Sequence, residues 1–283
     1  MWIILAIGAS VTGALSVFWS KVGTGHVQAV PAAFLSNAFT FVVMLTTAIL
    51  SGASAQIVAL SWDMWLLEAV AGIIQGFSWL VYFRAIECLP VNLVMTFDKS
   101  NLISTMFLST VILHTALQLH MCIGASVLMI GVGLMLKSTM LQQKPSGIIY
   151  AILSPTLQAV SNVFVKMDVS KVNSILTTTI RAFFVMAVLW VCCMKRREKF
   201  YFRQIDTKSY RILFLTGGIL AVSYLLMYRA IAQGDLSSVT VIVKSNIVLT
   251  AILARIYFRE QLKCRGIAGC ACVLIGMVLF LKP

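Results

Sequence analysis

Long apolar stretches recur along the whole chain at the length of membrane-spanning helices. An α-helix needs about 20 mostly apolar residues to cross the hydrocarbon core of a bilayer, where it satisfies its own backbone hydrogen bonds. Ten segments meet this length: residues 3–22, 30–50, 65–86, 90–112, 116–136, 147–166, 174–194, 210–231, 236–257 and 264–281. The pattern therefore predicts an all-α integral membrane protein with ten transmembrane helices.

The second half of the sequence repeats the first at a shift of 145 residues. Under this shift Lys99-Ser100-Asn101 falls on Lys244-Ser245-Asn246, and Arg84-Ala85-Ile86 falls on Arg229-Ala230-Ile231. We therefore expect two five-helix repeats, residues 1–137 and 146–283, joined by a linker at 138–145. Because five is odd, the second repeat would enter the membrane from the opposite side. Inverted repeats of this kind are typical of secondary transporters, whose substrate site lies between the repeats near the bilayer midplane.

Composition and charge support a membrane protein and exclude an ordinary soluble domain. Hydrophobic residues make up 60% of the 283 positions and charged residues only 11%, against nearly half and a quarter in soluble domains. Lys and Arg number 22 against 9 Asp and Glu, a net charge of +13. In a membrane protein such an excess favours lipid head groups over nucleic acid as the partner. We expect a monomer or a homodimer in lipid.

The repeated unit resembles the drug/metabolite transporter superfamily in its ten-helix, EamA-type form. The resemblance is carried by the duplication itself, by a basic residue at the end of the first helix of each repeat, Lys21 and Lys166, and by the stretch Tyr257-Phe258-Arg259-Glu260-Gln261-Leu262 before the last helix. The first repeat departs from this last motif, since it reads Leu113-His114-Thr115-Ala116-Leu117. The resemblance implies a transporter in a plasma membrane, most commonly the bacterial inner membrane.

Four charged residues lie inside the predicted segments: Asp98, Lys99, Arg181 and Lys244. A charge at the centre of a transmembrane helix costs about 2.5–3.5 kcal/mol, and such residues persist when they pair, face a water-filled cavity or bind a charged ligand. A pair of Asp98 with Lys244 or with Arg181 would leave two cations over. Asp98 is the only acidic residue well inside a segment on this interpretation. The surplus predicts an anionic small-molecule ligand, phosphorylated or carboxylated.

Lys99 and Lys244 occupy the fourth and ninth segments, at equivalent positions of the repeat. This lysine pair resembles the arrangement in the triose-phosphate and nucleotide-sugar translocators of the same superfamily, and that resemblance implies that both lysines contact the phosphate of the substrate. Asp98 is the candidate for proton coupling, or for orienting Lys99.

Several polar and aromatic residues are further candidates for the substrate site. Asn101, Asn246, Ser100 and Ser245 stand beside the lysines, although hydrogen bonding between helices is an equally good role for them. Candidates on other segments are Gln75, Trp79, Asn162 and Tyr224, with Trp19 and Gln158 behind them. For the aromatic residues the alternative is anchoring at the membrane interface.

No pattern in the sequence predicts a cofactor, a metal site or an enzyme. The three histidines and seven cysteines lack zinc-type spacing, and neither a phosphate-binding loop nor an H-E-x-x-H motif is found. The sequence therefore predicts a secondary transporter that moves a small anionic metabolite by alternating access. The alternatives are an exporter of amino acids or amphipathic compounds and, third, a non-transporting scaffold or receptor.

Two indications of membrane orientation oppose each other. With a cytoplasmic amino terminus, the outer loops would hold about fifteen basic residues, many of them within 195–211 and 255–265, and the inner loops about four. The positive-inside rule thus favours both termini outside, whereas the family resemblance implies both termini in the cytoplasm.

Overall fold

Helices account for nearly all of the structure described by the computed structural model. The described residues are 1–23, 29–89, 94, 97–116, 118–135, 145–169, 173–195, 205–258 and 264–281. They form α1 (Trp2–Gly23), α2 (Ala29–Leu50), a 3₁₀ helix (Ala53–Ala59), α3 (Trp62–Cys88), α4 (Asn101–Leu113), α5 (Leu119–Met135), α6 (Pro145–Val169), α7 (Ser174–Lys195), α8 (Thr207–Gln233), α9 (Leu236–Lys244), α10 (Asn246–Phe258) and α11 (Cys264–Leu281).

The predicted all-α membrane architecture is confirmed. Each of the ten apolar segments contains helix, and among the described residues six helices are long and apolar enough to cross a membrane by length and composition. Large apolar side chains such as Ile4, Phe107 and Ile256 are exposed on the outside of the bundle. Exposed apolar side chains in such numbers suit contact with lipid.

The fourth and ninth segments, expected to be continuous helices, are interrupted. A turn at Lys99 and Ser100 precedes α4, and a turn at Ser245 separates α9 from α10. At both turns the serine hydroxyl donates to the carbonyl three residues earlier, Ser100 Oγ to Phe97 at 2.7 Å and Ser245 Oγ to Ile242 at 2.6 Å. Serine hydroxyls compete with amides for helix carbonyls in this way. The two interruptions are equivalent under the 145-residue shift.

Contacts between the two halves recur under the same shift. A Cβ added to Gly72 on α3 would lie 2.7 Å from Phe184 Cβ on α7, and one added to Gly217 on α8 would lie 2.7 Å from Phe39 Cβ on α2. Both crossings join a helix of the first half to a helix of the second. The packing is therefore duplicated along with the sequence. The repeat boundaries and the opposite orientation of the repeats in the membrane stay predictions.

Helices α5 and α11 approach each other closely through small residues. A Cβ at Gly124 would lie 2.4 Å from the backbone N of Phe280, and one at Gly276 would lie 2.5 Å from the backbone N of Leu128. Small residues allow such backbone contact between membrane helices, where van der Waals packing supplies much of the attraction. This crossing joins the last helix of the first half to the last helix of the second.

Gly124→Ala should destabilise the protein, because its new methyl group would collide with backbone that cannot rotate away. Overpacking of this kind costs about 1–3 kcal/mol. The matched control is Gly133→Ala on the same helix, where an added Cβ meets nothing within 4 Å and the better helix propensity of Ala contributes up to about 1 kcal/mol. Thermal unfolding of the two variants in detergent compares them. Equal melting temperatures would show that the α5–α11 contact is not tight.

Candidate functional site

Two lysines and one carboxylate from the two halves form a buried cluster at the helix interruptions. Lys244 Nζ donates to Asp98 Oδ2 at 2.9 Å and to Gln158 Oε1 at 2.9 Å. The same carboxylate oxygen lies 3.9 Å from Lys99 Nζ. We call Asp98, Lys99 and Lys244 the lysine cluster. It carries one carboxylate for two ammonium groups, so it keeps an excess of one positive charge.

Lys99 is held by an amide from the other half of the chain. Its Nζ donates to Asn246 Oδ1 at 2.9 Å. The side chains are 8% exposed for Lys99, 12% for Lys244 and 22% for Asp98, so the carboxylate is the most accessible of the three. The contacts of Lys244 with Asp98 and of Lys99 with Asn246 both join the two halves. A ligand or proton that changes the charge of the cluster therefore also changes contacts between the two halves.

Local sequence fixes the position of Lys244. The carboxylate of Asp235 caps the start of α9 by accepting a hydrogen bond from the Ser238 backbone N–H at 2.9 Å. Nine residues later α9 ends at Lys244, immediately before the turn at Ser245. A cation at a helix carboxyl end is favoured by the unpaired carbonyls there.

A second buried ion pair joins α3 to α7 and corrects the sequence-based prediction. Arg181 Nη2 donates to Glu68 Oε2 at 2.5 Å, and the side chains are 3% and 0% exposed. Asp98 is therefore not the only acidic residue well inside the bundle. Hydropathy gives little sign of this burial, because Glu68 stands only three residues inside the predicted segment, where carboxylates usually reach the interface. Its spacing from Gly72 and Gln75 at i+4 and i+7 is the signal that places it on the face toward α7.

The second pair also corrects the predicted charge surplus. The lysine cluster and the Arg181–Glu68 pair together hold three cations and two carboxylates. The surplus is one positive charge, whereas the sequence pattern predicts two. Removing one partner of such a buried pair costs about 3–5 kcal/mol, because the other charge remains buried without compensation.

Arg181 also borders a cavity between α2, α3, α7 and α8. The cavity is small, with room for about one water molecule, and it is lined by Asn37, Thr40, Gln75, Thr178, Arg181, Ala182, Val185, Tyr224 and Tyr228. The guanidinium carbon of Arg181 lies 5.0 Å from the centroid of the Tyr228 ring. Within the described ranges, Nε and Nη1 of Arg181 donate no hydrogen bond. Gln75 and Tyr224, predicted from the sequence, thus meet Arg181 in one cavity.

The remaining candidates from the sequence do not line this cavity. Asn101 is buried on α4, where its Nδ2 donates to the carbonyl of Pro155 at 2.9 Å across the halves. Asn162 is buried on α6, and Trp79 stacks on Phe83 with ring centroids 5.8 Å apart. Ser100 and Ser245 bond to their own helices, as described above. Their roles in substrate binding stay predictions.

Among the residues that carry the family resemblance, Lys166 contacts the backbone of a neighbouring helix. Lys166 Nζ donates to the carbonyls of Ile231 at 2.7 Å and Gly234 at 2.6 Å, which ties α6 to the end of α8. The side chain of Lys21 and the stretch from Tyr257 to Leu262 lie outside the described side chains. Gln158, a minor candidate in the sequence, is a direct partner of Lys244.

Comparison with known proteins identifies the relatives of this chain. The model of the EamA-like transporter family matches residues 1–137 and 145–282. A protein from Sinorhizobium named "Uncharacterized transporter in cobO 3'region" is 28% identical over 130 residues, which are 46% of this chain and 92% of that protein. Mouse solute carrier family 35 member G1 is 30% identical over 138 residues, which are 48% of this chain and 36% of the mouse protein.

The fold is also known from solved structures. A solved crystal structure of another protein superimposes with a TM-score of 0.82 over 99% of this chain and 95% of its own length, at 14% sequence identity. This similarity concerns the fold alone. The family match covers nearly the whole chain, and it confirms the resemblance to EamA-type transporters seen in the sequence.

Proposed function

This chain belongs to the EamA-like transporter family, and from that membership we propose that it is a secondary transporter for a small anionic organic metabolite. The chain is a multi-pass integral membrane protein. The proposal adds to this membership the charge of the substrate, phosphorylated or carboxylated, and the residues that bind it.

The lysine cluster is the observation that supports an anionic substrate most strongly. Two ammonium groups from equivalent positions of the two halves converge on a single carboxylate, Asp98. Ammonium groups are compact charges that donate to several oxygens, and their hydrogen bonds to carboxylate or phosphate are among the strong ones in proteins. A substrate oxyanion would take the place that Asp98, Gln158 or Asn246 occupies in this structure, and would complete the charge balance of the cluster.

The position of these contacts supports alternating access as the transport mechanism. In transporters with broken helices, the substrate site lies at the interruptions and one repeat moves against the other around it. Here the contacts of Lys99 and Lys244 join the two halves at the interruptions of the fourth and ninth segments. A substrate that displaces these contacts shifts the equilibrium between arrangements of the halves by its differential affinity for them.

Asp98 is the proposed coupling residue. It is the more accessible member of its pair with Lys244 and holds that lysine in the absence of substrate. A proton on Asp98 would remove the negative charge that competes with the substrate for Lys244. Proton binding and substrate binding would then favour each other.

The proposal also includes the surroundings of the carrier. We place it in a plasma membrane, for a bacterial cell the inner membrane, with lipid against the exposed apolar side chains and with a monomer or homodimer as the unit. The loop charges favour both termini outside.

A second candidate is an exporter of amino acids or amphipathic compounds. The observation that favours it is the charge pairing itself, since among the described residues Asp98 and Glu68 each hold a cation, and the lysine cluster and the Arg181–Glu68 pair together have only one positive charge in excess. An interior that is close to neutral can accept a zwitterion. The test below separates the two candidates, because only an anion carrier depends on both lysines for substrate charge.

Lys99→Gln and Lys244→Gln should each abolish most of the anion exchange of the reconstituted protein. A hydrogen bond to a charged group contributes about 1.5–3 kcal/mol, so we expect a loss of roughly 10- to 150-fold in apparent affinity. Counterflow of radiolabelled sugar phosphates and carboxylates into proteoliposomes measures it. Lys208→Gln, at an exposed lysine in the first turn of α8, is the matched control. Full anion exchange by folded Lys99→Gln and Lys244→Gln proteins would refute the proposed site.

Asp98→Asn should separate transport from the proton gradient and leave exchange intact. The amide still accepts a hydrogen bond from Lys244 but binds no proton. Uptake with and without an imposed pH gradient measures coupling, and counterflow without a gradient measures exchange. The control is Asp206→Asn, at an exposed helix cap where Asn serves as well as Asp. The coupling role of Asp98 is wrong if the variant responds to the gradient as the original protein does.

A further inference from the structure

Two asparagines that are equivalent in the repeat make different hydrogen bonds in this structure. Asn101 and Asn246 correspond under the 145-residue shift. The side-chain oxygen of Asn246 accepts a hydrogen bond from Lys99 Nζ at 2.9 Å. Asn101 instead donates from Nδ2 to the carbonyl of Pro155 on α6, also at 2.9 Å. One amide therefore binds the lysine of the other half, whereas its equivalent binds the backbone of the other half.

The threonine that follows each asparagine shows the same difference. Thr105 Oγ1 donates to the side-chain oxygen of Asn101 at 3.4 Å. The equivalent Thr250 Oγ1 donates to the backbone carbonyl of Asn246 at 2.9 Å, and the side-chain oxygen of Asn246 is left to Lys99. The same lysine, asparagine and threonine positions thus adopt two distinct hydrogen-bonding arrangements, one in each half.

Asn101 lies close to the lysine that it would bind if its half adopted the other arrangement. Lys244 donates to Asp98 and to Gln158. Asp98 lies three positions before Asn101, and Gln158 lies three positions after Pro155. The bond between Asn101 and Pro155 is therefore about one helical turn from both partners of Lys244. Only a local rearrangement separates Lys244 from this amide.

Asn246 lies equally close to the backbone that it would bind after such an exchange. Pro155 on α6 corresponds to Ser10 on α1. A Cβ added to Gly13, about one turn along α1 from Ser10, would lie 3.4 Å from Asn246 Nδ2. The donor of Asn246 therefore already contacts α1, the helix equivalent to the one that Asn101 binds.

We propose that Asn101 and Asn246 form an amide switch, in which each asparagine binds a lysine in one state of the carrier and the backbone in the other. In the state described here Asn246 binds Lys99 and Asn101 binds α6. In the opposite state Asn101 binds Lys244 and Asn246 binds the Ser10 carbonyl. Because the repeats are predicted to be inverted, exchanging the two arrangements reverses the side to which the site opens.

The switch explains how two states of the carrier stay close in free energy. Each state contains one bond between an amide and a lysine and one between an amide and a carbonyl. Asp98, which corresponds to Val243, biases this balance because its carboxylate holds Lys244 away from Asn101. A proton on Asp98 weakens that hold and favours the opposite state. This inference rests on the alternating access of the proposed function, and it adds the residues that hold each state.

The test measures which state the full-length protein occupies when no substrate is present. Cys88 and Gln233 are equivalent positions at the ends of α3 and α8, where Cys88 is half-buried and Gln233 is exposed. They exchange environments when the halves exchange arrangements. The reporter protein carries Gln233→Cys and has serine in place of every natural cysteine except Cys88. The ratio of alkylation rates at positions 233 and 88 then reports the state.

Aspartate and alanine at the two switch positions should move this ratio in opposite directions. Asn246→Asp strengthens the bond to Lys99 and should raise the ratio about fivefold, since hydrogen bonds to charged groups are the stronger ones. Asn101→Asp loses its donor to the backbone and strengthens the bond to Lys244, so it should lower the ratio by about the same factor. Asn246→Ala should lower the ratio and Asn101→Ala should raise it.

The matched control is Asn173→Asp, at a residue whose side chain accepts from the Ile175 backbone N–H at the start of α7. Aspartate serves there as well as asparagine, so the ratio should not change. The amide switch is overturned if both aspartate variants leave the ratio unchanged or move it in the same direction. If one variant does not fold, the other position decides, because aspartate and alanine there must still act oppositely.

The readout uses no substrate, so it distinguishes failure of the switch from failure of the proposed function. Expected shifts in the ratio, in a protein that exchanges no anion, support the switch and refute the anionic substrate. Normal anion exchange, in a protein whose ratio none of the four variants changes, refutes the switch and leaves the proposed substrate standing.

Discussion

A charged side chain in the interior of a membrane protein must find a counter-charge or a polar cavity, because neither lipid nor apolar packing can solvate it. In this chain that constraint is met across the interface between the two halves. Lys244 pairs with Asp98, Arg181 pairs with Glu68, and Lys99 bonds to Asn246, each partner coming from the other half. The contacts that pair the charges are therefore also contacts that hold the halves in one arrangement. A ligand that replaces them changes the charge pairing and the arrangement of the halves together.

The duplicated helices pack symmetrically, whereas the carboxylates that pair with the interior cations are not repeated. The glycine-mediated crossings of α3 with α7 and of α2 with α8 are equivalent, and the two lysines are equivalent. The carboxylates are not, since Asp98 corresponds to Val243 and Glu68 to Leu213. The first half therefore supplies both Asp98 and Glu68. Because the other half packs without carboxylates at these positions, packing alone does not explain Asp98 and Glu68. Their presence calls for a functional reason.

Much of the fold follows from the sequence alone, because the length of an apolar segment and the 145-residue repeat are both directly visible. The lysine pair is visible for the same reason. Other features depend on information that hydropathy does not contain. The turn at Ser245 arises from a side-chain hydroxyl bonding to its own helix, which leaves the segment just as apolar. The burial of Glu68 depends on how α3 faces α7, and the bond from Asn101 to Pro155 depends on which helices are neighbours across the halves.

We propose that the buried charges of the interface serve to bind a negatively charged substrate. The most direct measurement is counterflow by the unmodified protein in proteoliposomes, with a panel of labelled sugar phosphates, carboxylates, amino acids and organic cations. We expect exchange of at least one phosphorylated or carboxylated anion, which other anions compete with and the cations leave unaffected. Exchange confined to neutral or cationic compounds, with no anion in the panel transported or competing, would contradict it.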